Sequence, residues 1–283
     1  MARESGDPLG SGLPDGVDSE RSSVARLYDW LLGGRYNFAS DRELGRRLIA
    51  AEPNARMIVR ENRDFLGRAV RFLLSQGVRQ FLDLGSGIPT QENVHQIAQR
   101  SAPGARVVYV DNDPSAVAHS RQILTGNPDA GVVLADMRDP AAVLGHPVTQ
   151  ALLDFDRPIG LLMVSVLHFI PATDDPFGMV ERYGEAVAPG SYLTISHATH
   201  EASPGAAADV ERLYASTARA SAYTRSHAEI TRFFAGSDLV EPGLVYLPLW
   251  HPRSPEPPEH PERAWFYAGV GRLGGVTQPE ASH

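Results

Sequence analysis

The chain contains no cysteine and no lysine. Without cysteine there is no disulfide, no thiolate zinc site and no cysteine nucleophile, and the absence does not by itself fix a compartment. All 26 basic residues are arginine, which excludes a phosphate-loop lysine, a Schiff-base lysine and a lysine general base together. No run approaches the roughly 20 apolar residues of a membrane span, and the opening MARESGDPLGSGLPDG lacks the apolar core of a signal sequence. The expectation is a soluble cytoplasmic protein with no membrane partner. With 34 acidic residues the net charge is -8, so there is no global pull toward nucleic acid, and small or neutral partners are favoured.

What is present is a chain of 283 residues, enough for one large α/β domain with additions. Residues 1–20 are rich in Gly, Pro, Ser and Asp and read as a disordered arm. Residues 21–75 read as a helical cap. In SSVARLYDWLLGG, Val24, Leu27, Tyr28, Leu31 and Leu32 recur at helical spacing behind a Ser22 or Ser23 cap, and a second helix covers about 55–75. From 76 to 274 strands and helices alternate, beginning with RQFLDLG, TQENVHQIAQR and ARVVYVD. Mostly apolar strands separated by helices indicate a parallel sheet covered on both faces. GLVYLPLWHP and RAWFYAGVGRL read as a closing antiparallel pair, and 275–283 as a frayed tail. The fold class expected is α/β, a Rossmann-like doubly wound and mostly parallel seven-stranded sheet with a helical N-terminal addition and an antiparallel C-terminal strand.

Three strands end in acids: Asp83, Asp111 and Asp136. In such a sheet ligands bind at the carboxyl ends of the strands. FLDLGSGIPT places the short turn Gly85, Ser86, Gly87 directly after Asp83, and small residues there let a ligand approach the backbone. A dinucleotide fingerprint needs a third glycine where Thr90 stands, and its pyrophosphate would be repelled by Asp83, whereas a cationic ligand would be attracted. S-adenosylmethionine carries an ammonium and a sulfonium and no phosphate. Asp111 at the next strand end suits ribose hydroxyls, and Asp136 can face the adenine amine. Asp113, followed by Pro114, reads as a helix cap rather than a ligand residue.

Through FLDLGSGIP, VVYVDNDP, LADMRDP and EAVAPGSYLTIS the chain resembles a class I S-adenosylmethionine-dependent methyltransferase. ARLYDWLLGGRYNFASDRE, VRENRDFLGRAVRFL and VSVLHFIPATDDP are similar to a narrower actinobacterial group of S-adenosylmethionine methyltransferases that long carried an unknown-function label. The resemblance implies cofactor contacts by Asp83, Gly85, Ser86 and Gly87 at the methionine portion, Asp111 with Asn112 at the ribose, Asp136 with Met137 at the adenine, and Ser165 after the fourth strand.

Other candidates stay open between two readings. GGRYNFASDRE is either a glycine-ended helix, a loop and a new helix capped by Ser40 with Glu43, or a pocket wall in which Tyr28, Gly34 and Asn37 line the ligand site; both can hold together. Arg63 either pairs with the methionine carboxylate or lies on a solvated face. His168 in SVLHFI is either a general base beside the acceptor or a half-buried structural histidine. His197 and His200 project to different sides of a strand with no third ligand in sight, so no metal is expected. The function expected is methyl transfer from S-adenosylmethionine to a small-molecule acceptor. The alternative is a non-catalytic regulatory protein that senses S-adenosylmethionine or S-adenosylhomocysteine; a nicotinamide oxidoreductase ranks behind both. Oligomeric state and acceptor are not legible.

Overall fold

Side chains of β1 (Gln80–Leu84) and β2 (Arg106–Asp111) alternate between two apolar layers, with Phe81, Val107 and Tyr109 in one and Leu82, Leu84, Val108 and Val110 in the other. Strands buried on both faces need helices on both faces. The computed structural model describes residues 16–89, 92–217, 220–254, 256 and 258–274. Ahead of the sheet stand α1 (Val24–Leu31), α2 (Ala39–Ala51) and α3 (Ala55–Ser75). After β1 come α4 (Val94–Ser101), then β2 and α5 (Pro114–Ile123), β3 (Ala130–Leu134), α6 (Pro140–Leu144) and α7 (Pro147–Leu152). The second half runs β4 (Gly160–Val164), α8 (Pro176–Glu185), β5 (Tyr192–Ala198), α9 (Pro204–Thr217) and α10 (His227–Thr231). Three strands close it: β6 (Ser237–Leu239), β7 (Val245–Tyr246) and β8 (Phe266–Leu273).

The sheet runs β3-β2-β1-β4-β5-β8-β6, with β7 also paired to β8. The first five strands are mutually parallel, and β8 is antiparallel to β5, β6 and β7. The doubly wound architecture is as expected, with eight strands in place of seven. The additional strand is Ser237–Leu239, three residues on an edge with no long apolar run to announce it. The strand expected in GLVYLPLWHP shrinks to Val245–Tyr246, because Pro248 has no N–H for a ladder and Leu247–Leu249 turns as a 3₁₀ helix.

Several helix ends follow the local chemistry. Ser23 caps α1, Asp113 with Pro114 opens α5, and Ser226 with Glu229 forms the reciprocal box at α10. The start of α2 does not use Ser40 with Glu43. Asp41 accepts from Phe38 N–H at 2.8 Å, while Ser40 Oγ donates to the Ser19 carbonyl at 2.7 Å and Glu43 pairs with Arg46 at 2.7 Å.

The cap has its own apolar centre of Leu27, Leu31, Leu44, Leu48 and Val59, closed by Leu213 of α9. The later turns of α3 belong to the sheet layer instead, through Phe65, Ala69 and Leu73. Inside the cap lies an ion pair, Arg26 Nε to Asp41 Oδ2 at 2.8 Å, with side-chain exposures of 3% and 0%. Asp41 also accepts from Ser23 N–H at 2.9 Å. Arg26 donates to the carbonyls of Asp18 at 3.0 Å and Arg21 at 2.5 Å. These bonds correct the expectation of a disordered arm for residues 16–20, which are held against the cap by backbone acceptors. Residues 1–15 of that arm and the tail 275–283 lie outside the described residues.

Removing one partner of a buried pair leaves the other charge desolvated, at a cost of about 3–5 kcal/mol. Asp41→Ala is expected to destabilise the cap by that order. Amide hydrogen exchange should show α1 and α2 losing protection while β1 and β4 keep theirs; unchanged exchange in α1 would contradict the assigned role of the pair.

Candidate functional site

The chain winds outward from β1 to β3 and returns on the other side as β4, so the strand order reverses between β1 and β4. That reversal opens a crevice at the carboxyl ends of the strands. A cavity of about 570 Å³ lies there. Its floor is the turn after β1. Gly85 (φ +74°) and Gly87 (φ +65°) both adopt the left-handed region, which only glycine enters without strain. The N–H groups of Gly85 and Ser86 donate to the Val110 carbonyl at 2.8 and 3.1 Å, folding the turn back onto β2. A side chain at Gly85 would collide with Val166, whereas a Cβ at Gly87 would meet nothing within 4 Å. The first glycine is thus needed for packing, and the second leaves backbone open to the cavity.

The acids at the strand ends are in different states. Asp83 is 6% exposed, and among the described residues nothing hydrogen-bonds its carboxylate. Burial pushes its pKa up to about 7, with the Arg63 guanidinium opposing the rise and Asp111 adding to it. Asp111 accepts from Gly87 N–H at 2.7 Å and from Asp113 N–H at 2.8 Å. Its pKa is also raised by burial, to about 6, despite those bonds. Asp113 is occupied as a cap, accepting from Ser115 N–H at 2.8 Å and from the Ser23 hydroxyl. That last contact ties the start of α1 to the start of α5 across the cavity rim.

Asp136 lines the cavity, but its carboxylate is not open as expected for an adenine amine. Arg138, two residues on, donates from Nε at 3.0 Å to both carboxylate oxygens and from Nη2 at 2.6 Å. The same guanidinium reaches Asp174 at 2.8 Å. These bonds hold the Asp136 carboxyl below its usual range. Met137 and Asn112 line the cavity beside it, and the Met137 carbonyl is fixed by the Tyr183 hydroxyl at 2.9 Å. Ser165 also lines it, in a left-handed conformation (φ +59°) held by donation of its N–H to Ser196 Oγ at 2.9 Å.

The cap supplies the remaining wall. Tyr28 lines the cavity as expected, donating from its hydroxyl to the Val59 carbonyl at 3.1 Å and accepting from Asn62 at 2.9 Å. Asn62 in turn accepts from Ser196 Oγ at 2.5 Å, so one chain of bonds runs from β5 to α1. Arg63 faces the cavity, with Nη2 donating to Asn93 Oδ1 at 3.4 Å and a buried Nε that has no partner. Ser86 Oγ is likewise buried and unpartnered.

Three expected residues lie elsewhere. Gly34 and Asn37 do not reach the cavity; they wrap the buried carboxylate of Asp29, which accepts from Asn37 Nδ2 at 3.0 Å and Tyr36 N–H at 2.8 Å. A Cβ at Gly34 would overlap that carboxylate, which is why glycine stands there. His168 is not a base at the cavity. Its ring is buried among Phe169, His197 and Phe266, and burial with the nearby Arg225 lowers its pKa to about 3. The cavity-facing neighbours in that segment are Phe169 and Ile170.

Arg225 was not singled out by the sequence. Buried and, among the described residues, in no contact ion pair, it donates to the carbonyls of Leu167 at 3.1 Å and Ile170 at 2.9 Å and to His197 Nε2 at 2.7 Å, with Glu229 acting on it through space. His197 therefore presents a bare Nε2 and donates from Nδ1 to the Ala198 carbonyl at 2.8 Å. This clamp fixes the segment after β4. Asn62, also missed, did leave a signal: a polar residue at helical spacing between the buried Ile58 and Phe65. Nothing local distinguishes Tyr223 or Arg138.

A family model described as S-adenosyl methyltransferase matches residues 11–274. Two solved structures are similar over nearly the whole chain. A DUF574 family protein from Streptomyces avermitilis MA-4680 is 39% identical, covering 90% of this chain and 99% of its own, with a TM-score of 0.85. A protein from Thermobifida fusca YX described as a "putative methyltransferase" is 40% identical, covering 92% of this chain and 97% of its own, with a TM-score of 0.86. No curated protein matches.

Two outcomes follow from this geometry. The raised pKa of Asp83 means that its contribution to stability is fully present below about pH 4 and is lost as pH rises through about 7. His168, with its lowered pKa, works in the opposite direction below about 6.5. The difference between Asp83→Asn and the parent chain isolates the first effect. In urea unfolding it should grow from pH 4 to pH 8 in favour of the variant, by on the order of 2–4 kcal/mol; a flat difference would mean the carboxylate is not a desolvated charge. Arg225→Ala, which orphans two carbonyls and an imidazole nitrogen, is expected to cost about 3 kcal/mol by the same assay, with Arg225→Lys recovering only part.

Proposed function

The chain belongs to the S-adenosyl methyltransferase family, and from that premise we propose that it transfers a methyl group from S-adenosylmethionine to a small-molecule acceptor in the cavity at the β1/β4 reversal. The single observation that carries this is the buried carboxylate of Asp83, which meets no hydrogen-bond donor among the described residues and lines the cavity. A desolvated anion in that position is answered by a cation entering from outside.

The residues present fit the cofactor. Asp83 would receive the ammonium, and Arg63, whose buried Nε is unpartnered, would hold the carboxylate of the same amino-acid portion. Ser86 Oγ, another orphaned buried atom on a residue lining the cavity, and the open backbone of Gly87 would face that portion as well. Asp111 is oriented by two backbone donors, and each oxygen retains acceptor capacity for ribose hydroxyls. Met137 and Asn112 would flank the base, with Asp136 reaching the adenine amine only on exchange of a bond to Arg138. When bound, S-adenosylmethionine supplies a methyl group on a positively charged sulfur, an electrophile already activated.

The protein's share is alignment and exclusion of water. Tyr28, fixed from β5 through Ser196 and Asn62, and the wall Phe169–Pro171, fixed by Arg225, would hold the acceptor behind the methyl group. Orientation of this kind can supply up to roughly 7–11 kcal/mol without a covalent step. A protein base is not required when the acceptor's lone pair is available, and His168 has no access to the cavity.

Calorimetric titration with S-adenosylmethionine and with S-adenosylhomocysteine tests the proposal directly. One-site binding is expected, and no heat at millimolar ligand would refute it. Because the ammonium needs Asp83 ionised and that group titrates near 7, affinity should rise about tenfold between pH 6 and pH 8. In Asp83→Asn both the affinity and its pH dependence should fall away.

A further inference from the structure

The ionisable groups that line the cavity are distributed unevenly. Asp83, Asp111, Asp113, Asp136 and Arg138 all stand at the ends of β1, β2 and β3, and Arg63 faces Asp83 from α3. The β4 side is different. Val164–Val166 and Phe169–Pro171 form one wall, and Ala220, Ser221 and Tyr223 form the facing one. Tyr28 and Val24 of α1 complete it. Among the described residues this side contributes two phenols, a few hydroxyls and no full charge.

Its construction keeps charge away. The two walls are joined by Tyr223 N–H donating to the His168 carbonyl at 2.7 Å. Behind them Arg225 is hydrogen-bonded to carbonyl oxygens and an imidazole nitrogen and lies over the Phe233 ring at 5.4 Å, and the acid it feels through space, Glu229, does not line the cavity. His168 and His197 are both neutral in this packing, as their burial requires. The hydroxyl of Tyr28 is already committed as donor to Val59 and acceptor from Asn62.

We propose that the β4 side of the cavity is the acceptor subsite and that it takes an uncharged, flat aromatic molecule whose reacting heteroatom offers a lone pair without help from a protein base. The inference rests on the methyl-transfer reading above. Phe169 and Tyr223 supply aromatic faces against which a planar ring can pack. A cationic or anionic acceptor would meet no counter-charge on these walls among the described residues, and partial loss of its hydration would go uncompensated. In the transfer, the heteroatom's lone pair forms the new bond to the methyl carbon and the carbon–sulfur bond pair returns to sulfur, leaving a thioether. The displaced proton of the heteroatom passes to water at the cavity mouth.

The test uses the full chain saturated with S-adenosylhomocysteine and three probes of one size class: indole, benzoate and benzylammonium, followed by ligand-observed NMR titration. Indole is expected to bind saturably and at least tenfold more tightly than either ion. Phe169→Ala and Tyr223→Ala should each weaken indole severalfold, and Phe169→Leu, which keeps the wall apolar, should restore part of it. A structural collapse would be exposed by titrating each variant with S-adenosylhomocysteine. Benzoate binding as tightly as indole would overturn the proposal; this is the outcome if Arg219, outside the described residues, serves the acceptor. Equal binding of benzylammonium, or no saturable binding of indole, would overturn it too. Those results leave the cofactor reading intact if S-adenosylhomocysteine still binds, whereas failure of S-adenosylhomocysteine to bind removes both.

Discussion

A largely buried carboxylate at a cavity wall, with no hydrogen-bond donor beside it among the described residues, is the constraint around which this protein is arranged. Asp83 sits near the end of β1, a strand whose neighbouring residues Phe81, Leu82 and Leu84 are fully buried in the layers on its two faces. In a finished core such a group would be paired or replaced by an apolar residue, because an unpaired buried charge is among the most costly features a fold can carry. Here the nearest cation, Arg63, moderates the charge through space and forms no ion pair with it. The carboxyl is therefore a costly group without a donor, and in the proposed reading the cationic end of the cofactor would answer it, trading stability for binding at one residue.

The surrounding elements can be understood as holding that position open. Glycine at 85 lets the turn pass beneath Val166, and the open side of Gly87 keeps side chains out of the space above. Asp111 uses two backbone donors from the same turn and the next, so the β1 and β2 ends are locked to each other before any ligand arrives. Across the rim, the Ser23 hydroxyl and Asp113 join the first helix of the cap to a helix of the sheet layer. The cap is thereby attached at two places, here and through Tyr28, Asn62 and Ser196, and both attachments end in the cavity wall. Packing and site formation share the same bonds.

The sequence made the strand-end half of this site legible and left the other half opaque, for a definite physical reason. Asp83, Gly85, Gly87 and Asp111 are adjacent to the strands that present them, so period-two burial and turn chemistry locate them without any tertiary knowledge. Asp113 followed by Pro114 could likewise be separated from Asp111 as a cap. The errors concern residues whose surroundings come from distant segments. Gly34 and Asn37 resemble a ligand loop in sequence, yet they fold around Asp29, whose Oδ2 accepts from Asn37 Nδ2 and Tyr36 N–H. His168 stands one residue from the cavity, but the tight turn after β4 sends its ring inward and Phe169 outward. Asp136 lines the cavity, while the Arg138 guanidinium that pairs with it is also held by Asp174, 36 residues beyond Arg138 along the chain.

The second buried charge completes the electrostatic scheme. Arg225 could have been balanced by an aspartate, which is the ordinary solution for a buried guanidinium. Instead the acid it feels through space, Glu229, is exposed in the first turn of α10 and does not line the cavity. Carbonyls and an imidazole lone pair satisfy the guanidinium's donors without adding a negative charge. The negative potential of the site is consequently concentrated on the β1 and β2 side, and a ligand with its cationic end there is oriented before any contact with the opposite wall is made. Two buried ions of opposite sign, one left without a partner and the other solvated by neutral groups, give the cavity its direction.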